Sequence, residues 1–198
     1  WAPIIKDSGF KGIIVSITNP CDVIAEYMQK LTDLPKERVI GTGTIIDTAR
    51  MKNAVAKYVG LDPNSIDGYV IGEHGNSQFV AWSKVSIAAK PIRESLDEKT
   101  FDQIEEAARM KGFEIIKGKG YTSYGIANAT AIIVETIFTD AKTILPVSSY
   151  SSQDGCYIGH PAAVGRNGII RDIHLELNEK EQEKWDYSVA TIKNTMPN

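Results

Sequence analysis

The run Gly12-Ile-Ile-Val-Ser-Ile-Thr18 is apolar and β-branched almost without interruption, and Asn19-Pro20 closes it. A run without regular polar alternation is the pattern of a strand covered on both faces, as in a parallel sheet with helices above and below. Toward the C-terminus, Asp22 to Leu34 carries Val23, Ile24, Tyr27, Met28 and Leu31 at helical spacing, and Pro35 stops it. Val39-Ile40 then enters Gly41-Thr-Gly-Thr44 as a second strand. Strand, helix, strand is the βα unit of an open α/β sheet. Toward the N-terminus, Trp1 to Ser8 reads as the tail of an amphipathic helix, with Gly9 at the C′ position. A doubly covered strand needs a neighbour on each side, and only Arg38-Val-Ile-Gly41 follows closely. The expectation is that further strands precede residue 1 and that the chain is a portion of a longer protein.

A helix is expected over Asp47 to Tyr58, with Ala49, Val55, Ala56 and Val59 as its apolar stripe and Gly60 as its stop. The turn Leu61-Asp-Pro-Asn-Ser65 leads to a strand at Gly68 to Ile71. After Val80 the βα alternation ends: Lys84 to Ala88 reads as a strand and Thr100 to Ile116 as a long helix. Gly125 to Leu145 reads as a second long helix, apolar nearly all round and so expected at the buried centre of this half. Asn167-Gly168 is a hairpin signal, with Ile173 to Leu177 as its partner or neighbour. Asn178, followed by Glu181, opens the last helix with a variant of the capping box. The fold class is α/β followed by α+β.

With 198 residues, 42% of them hydrophobic, the chain can bury a sizeable core. A net charge of −3, without a cluster of Lys and Arg, lacks the electrostatic footprint of a nucleic-acid binder. No apolar run approaches the ~20 residues that span a bilayer, so no membrane partner is expected. Cys21 and Cys156 are not in a metal-ligand spacing and read as reduced thiols, which makes the expected location cytoplasmic.

Chemistry concentrates in Tyr69-Val-Ile-Gly-Glu-His-Gly-Asn-Ser-Gln78. Gly72 and Gly75 flank His74, so the backbone can turn and present the imidazole beyond a strand end. Imidazole titrates near neutrality and exchanges a proton with little adjustment. Asp47 and Arg50 stand three apart and share a helix face. A carboxylate beside an imidazole fixes its tautomer and favours the imidazolium; a guanidinium fork matches a carboxylate with two parallel hydrogen bonds. Asp47, Arg50 and His74 together would bind and reduce a 2-keto acid. Two plainer readings stand beside this one: an i,i+3 surface ion pair worth a few tenths of a kcal/mol, and an exposed loop histidine. Asn19 sits at the C-terminal end of a parallel strand, where open α/β sheets bind ligands. Its amide can donate to a substrate oxygen and accept from a cofactor, and a cis Asn19–Pro20 bond is one way to aim it; the alternative is a plain turn. Gly41-Thr-Gly-Thr44 opens a helix and could hold an anion, but Ile46 stands where a dinucleotide fingerprint has its third glycine. There is no Gly-x-Ser-x-Gly elbow and no His-x-x-x-His metal helix. His160 and His174 have no assigned role.

Asn19-Pro-x-Asp22, Val39-Ile-Gly-Thr-Gly-Thr44, Asp47-Thr-Ala-Arg50, Gly72-Glu-His-Gly75 and Gly118-Lys-Gly-Tyr-Thr-Ser123 stand in the order seen in the lactate and malate dehydrogenase family. The chain resembles the C-terminal portion of that family over essentially its whole length. Residues 72–83 and 119–125 look closer to L-2-hydroxyisocaproate dehydrogenases than to typical lactate dehydrogenases, and Asn76 stands where the latter usually carry aspartate. The resemblance implies an NAD-dependent L-2-hydroxyacid dehydrogenase of the hydroxyisocaproate or lactate type. In it His74 is the acid–base group, Asp47 its partner and Arg50 the clamp on the substrate carboxylate. Asn19 meets substrate and nicotinamide, Thr18 the cofactor, and Thr122 walls the pocket. Gly112 leaves room for a branched side chain, with Lys111 beside it. The resemblance further implies that residues 1–45 are the remainder of a Rossmann-type NAD-binding domain and residues 46–198 the substrate-binding, catalytic domain. A homo-oligomer, tetramer or dimer, is expected from it as well. The family's pyrophosphate loop, ribose-binding acid and mobile arginine loop precede the part represented, so this chain alone is expected to be inactive. A malate dehydrogenase is the nearest alternative, and a non-catalytic assembly module of the same fold is another.

Overall fold

The structure, a computed structural model, describes residues 1–196 apart from the side chain of Phe113. Its first elements follow the sequence pattern: α1 (Ala2–Asp7), β1 (Ile14–Ser16), α2 (Cys21–Thr32), β2 (Val39–Gly41) and α3 (Ile45–Val59). β1 pairs with β2 in parallel, Ile14 opposite Val39 and Ser16 opposite Gly41. β1 is shorter and more exposed than its composition suggests. Ile14 and Val15 are half-buried, because among the described residues β2 is the only strand beside it.

After α3 come four short strands, β3 (Ile66–Asp67), β4 (Val70–Ile71), β5 (Phe79–Val80) and β6 (Ser86–Ile87), and then β7 (Lys90–Pro91). β4 and β5 form an antiparallel ribbon, and β3, β6 and β7 a three-stranded sheet. The strand expected over Lys84 to Ala88 is cut to β6, since Ala88 and Ala89 both adopt positive φ (50° and 63°) in the two-residue turn to β7. α4 (Glu98–Lys119) runs further in both directions than its apolar positions indicate. Its N-terminus is capped by Asp97, which accepts the Thr100 N–H at 2.8 Å.

The second half departs from the sequence reading. α5 (Tyr124–Thr139) stops well short of Leu145, at Asp140 in the left-handed conformation, and Thr143–Ser151 is instead strand β8. Thr143-Ile-Leu-Pro-Val is apolar and β-branched, a composition that suits a buried strand as well as a buried helix. Nor is α5 covered all round: Ala129, Ile133 and Thr136 are buried, while Tyr124 and Phe138 are more than three-quarters exposed. β8 pairs over nine residues with β9 (Cys156–Gly165). The hairpin to β10 (Gly168–Asp172) turns through Arg166-Asn167. Gly168 holds φ +100°, and a Cβ there would lie 1.9 Å from the Glu37 carbonyl oxygen, so the turn glycine is fixed by packing as well as conformation. Residues 173–177 form no strand; Ile173 keeps one backbone bond, to Pro161. α6 (Glu179–Thr195) closes the chain with both bonds of the capping box between Asn178 and Glu181 in place.

A five-stranded mixed sheet in the order β1-β2-β8-β9-β10 thus joins the parallel βα unit to the antiparallel half. α5 packs on the sheet through Ile133 against Ile40, Val147 and Val164, and α6 through Trp185 and Ile192 against Ile158. A third cluster holds α3 to α4, with Trp82 stacked on Phe101 at 4.3 Å between ring centroids. Each such buried side chain stabilises the fold by about 1.5–3 kcal/mol. Among the described residues, no helix is long and apolar enough to cross a membrane.

Candidate active site

The start of α3 is tied to β4 through both backbone groups of Val70. Thr44 Oγ1 donates to the Val70 carbonyl at 2.6 Å, and the Val70 N–H donates to Thr48 Oγ1 at 3.0 Å. The chain leaving β4 is then bridged to β9, Gly72 and Gly159 exchanging N–H···O bonds of 2.8 and 3.1 Å. Gly72 has φ +98°, and a Cβ there would meet Ser188 Oγ at 2.6 Å. Gly75 needs no positive φ; the crowding at that position comes from the Glu73 side chain. Glu73 itself is anchored: its N–H donates to Ser188 Oγ at 2.6 Å, and its Oε2 accepts from Ser77 N–H at 3.1 Å and Oγ at 2.5 Å. These ties deliver His74 to the first turn of α3, where Asp47 and Arg50 project.

His74 Nδ1 lies 2.8 Å from Asp47 Oδ2, and Arg50 Nη1 donates to Asp47 Oδ1 at 3.0 Å. One buried carboxylate therefore holds both the imidazole and the guanidinium, and the first turn of a helix is where a negative charge is favoured by the backbone dipole. Burial alone would raise the Asp47 pKa, but the hydrogen bond and charge of His74, with the Arg50 charge, outweigh it and hold the carboxyl below its ordinary range. Burial alone would lower the His74 pKa. The hydrogen bond and charge of Asp47, helped by Asp22 and opposed by Arg50, raise it above that of a free imidazole.

All three face a cavity of about 690 Å³. Asn19, Gly112 and Thr122 line it too, so the structure brings six of the seven residues singled out from the sequence to one place. The seventh, Thr18, is exposed and is not part of the lining. The Asn19–Pro20 peptide is cis. Lys111, adjacent to Gly112, turns away and pairs with Glu114 at 2.9 Å. Gly112 lies over Arg50: a Cβ there would come 3.6 Å from Arg50 Nη1. The rest of the lining combines apolar Ile46, Ile115, Ile116 and Ile126 with polar Thr42, Gln78 and Ser123 and the cationic Arg109 and Lys119. Arg109 is engaged by Glu106, and Lys119 by Ser123 Oγ and the rings of Tyr121 and Tyr124.

Gly41-Thr-Gly-Thr44 is a packing loop. The Gly43 N–H donates to Cys21 Sγ at 3.3 Å, and a Cβ on Gly43 would collide with the backbone of Ser148 at 2.3 Å. Sequence reasoning passed over Gln78, a cavity residue beside the Asp47 carboxylate, and Asp22, which accepts the His74 backbone N–H at 2.8 Å. The signal for Asp22 was its place in Asn19-Pro-x-Asp22, a motif read only for its first residue.

Residues 44–198 match the model of the lactate/malate dehydrogenase α/β C-terminal domain. The chain is 42% identical over 193 residues to an L-lactate dehydrogenase of Halalkalibacterium halodurans, covering 96% of this chain and 62% of that protein. It is 42% identical over 200 residues to L-lactate dehydrogenase 2 of Listeria innocua, covering 96% and 64%. The ligand-bound crystal structure of the minor L-lactate dehydrogenase of Enterococcus mundtii superposes with a TM-score of 0.94 at 34% identity, covering 98% of this chain and 65% of that one. The chain spans less than two thirds of the length of each of these three relatives. Matched over residues 44–198 and aligned with relatives over nearly all of its own residues, the chain belongs to the lactate/malate dehydrogenase family.

Proposed function

We propose that this chain is the substrate-binding and catalytic portion of an NAD-dependent L-2-hydroxyacid dehydrogenase of the hydroxyisocaproate or lactate type. The observation that carries the reading is Asp47 bonded at once to His74 and Arg50 on the wall of one cavity. Residues 1–45 are then the remainder of the cofactor domain and 46–198 the substrate domain. The protein acts in the cytoplasm as a homo-oligomer.

The residues present fit the nicotinamide end of the cofactor. At the end of β1 the cavity presents Ile17, 55% exposed, beside the Asn19 amide, an apolar surface and a polar group suited to a flat ring that bears a carboxamide. When bound, reduced nicotinamide supplies the hydride that C2 of the keto acid receives. Arg50 grips the substrate carboxylate through its fork. With Nδ1 committed to Asp47, His74 offers Nε2 to the cavity, and from there the imidazolium gives its proton to the carbonyl oxygen as it becomes a hydroxyl. Asp47 holds the tautomer and stabilises the charged ring. The apolar isoleucine walls and the opening over Gly112 accommodate a branched side chain.

Arg109 and Lys119 in the lining favour a second reading, a dicarboxylic 2-keto acid as in a malate dehydrogenase. NADH oxidation by the full-length parent with 2-ketoisocaproate, pyruvate and oxaloacetate separates the two. The leading reading expects the monocarboxylic, branched acid to be preferred and His74→Gln to cut the rate by at least about a hundredfold. Preference for oxaloacetate selects the second reading. No dependence on His74 leaves the chain as an assembly module. The 198-residue chain alone is expected to turn over none of these acids.

A further inference from the structure

We propose that Asp22 is a positioning residue for His74: its buried carboxylate seats the histidine's backbone N–H and brings a second negative charge close to it. The proposal rests on His74 being the proton donor of the reaction.

Asp22 lies in the first turn of α2, 2% exposed, and its Oδ2 accepts the His74 N–H at 2.8 Å. Its other oxygen, Oδ1, makes no hydrogen bond. Ser148 of β8 faces the same carboxylate, yet its Oγ also lacks a partner of good geometry. The charged and titratable groups around Asp22 are His74 and Glu73 from the active-site loop, Cys21 from its own helix and Cys156 from β9. Burial pushes both thiols up to about 12, so neither carries charge near neutrality. Around His74 the charged groups are Asp47 and Arg50 from α3 and Asp22 from α2.

An acceptor for one N–H does not need a carboxylate; an asparagine carbonyl in the same place would receive the same bond. A buried carboxylate with an oxygen left unbonded is costly, and here desolvation pushes its pKa up to about 6. A charged acceptor contributes what an amide cannot: its field adds to that of Asp47 in favouring the imidazolium. The two carboxylates divide the work. Asp47 grips the ring, whereas Asp22 fixes the backbone from which the ring hangs and adds to the bias toward its protonated form.

Nuclear magnetic resonance titration of the 198-residue chain tests this without turnover, so its outcome is independent of whether the parent is a dehydrogenase. In Asp22→Asn, which keeps an acceptor, the His74 ring midpoint is expected to move to lower pH. An unmoved midpoint in a folded variant overturns the proposal. If Asp22→Asn does not fold, the unsubstituted chain decides. The His74 backbone amide should report two transitions, its own ring and a second from Asp22, and a single transition coincident with the ring overturns the proposal. In the parent, Asp22→Ala should lower kcat by about tenfold to a hundredfold with KM for the keto acid little changed. Asp22→Asn should move the alkaline limb of the reduction profile to lower pH. A rise in KM with kcat intact contradicts positioning.

Discussion

Asp47 Oδ2 lies 2.8 Å from His74 Nδ1 in a pair whose carboxylate is buried and whose imidazole is one-quarter exposed. The two groups shift in opposite senses, the carboxyl down and the imidazole up, so each stabilises the charged form of the other. The raised histidine contributes stability that is complete below the ordinary imidazole value, about 6.5, and is lost as pH rises through its folded-state value. The depressed aspartate contributes stability that is complete above about 3.9 and is lost as pH falls through its folded-state value. The pair is therefore at full strength between about pH 4 and 6.5. Thermal unfolding of the chain and of Asp47→Asn across pH 3 to 9 should show the largest Tm gap inside that window, narrowing on both sides. A gap that grows steadily above pH 8 would contradict the pairing.

On the proposed reading Arg50 binds the substrate carboxylate through geometry as much as charge. Arg50→Lys keeps the cation but loses the fork and weakens the bond to Asp47, so KM for the keto acid in the parent should rise about tenfold or more while kcat falls less. Steady-state kinetics at fixed NADH measures both. Equal losses in kcat and kcat/KM would mean that the guanidinium acts mainly in the transition state.

Gly112 sets the room above Arg50. A Cβ there would sit 3.6 Å from Arg50 Nη1, an ordinary contact, so Gly112→Ala should fold normally. Gly112→Val extends into the cavity and should shift the kcat/KM ratio of 2-ketoisocaproate to pyruvate by about tenfold or more toward pyruvate. An unchanged ratio would place the substrate side chain elsewhere.

The turn between β6 and β7 places two alanines at positive φ, a conformation that costs a residue with a Cβ roughly 1–2 kcal/mol. Replacing Ala88-Ala89 with Asn-Gly, the preferred pair for such a turn, should raise unfolding stability by about 1 kcal/mol or more in urea, with an unchanged m-value.

Most of the site was legible because its chemistry depends on residue type and short spacing. Asp47 and Arg50 share a face by helix geometry alone, and Gly72-Glu-His-Gly75 marks a turn. What joins them is long-range: Thr44 and Thr48 to Val70, and Gly72 to Gly159. No local pattern announces such bonds. The fold was less legible after Val80. Thr143 to Leu145 continued the apolar run of α5 in composition, and only the left-handed Asp140, bonded through Oδ1 to the Arg166 N–H, ends the helix there. The place beside the Asn167-Gly168 turn expected for Ile173 to Leu177 belongs to Gly168–Asp172, which pairs with β9 directly after the turn.

Asp47, Arg50 and His74 stand on α3 and the loop after β4, whereas Gly112, Ile115, Ile116 and Thr122 stand on α4 and the turn behind it. The α4 wall meets α3 mainly through the Phe101 and Ile104 cluster, away from His74. None of the hydrogen bonds that hold His74 and Arg50 to Asp47 involves α4, so substitutions along that wall can reshape the cavity without loosening the triad.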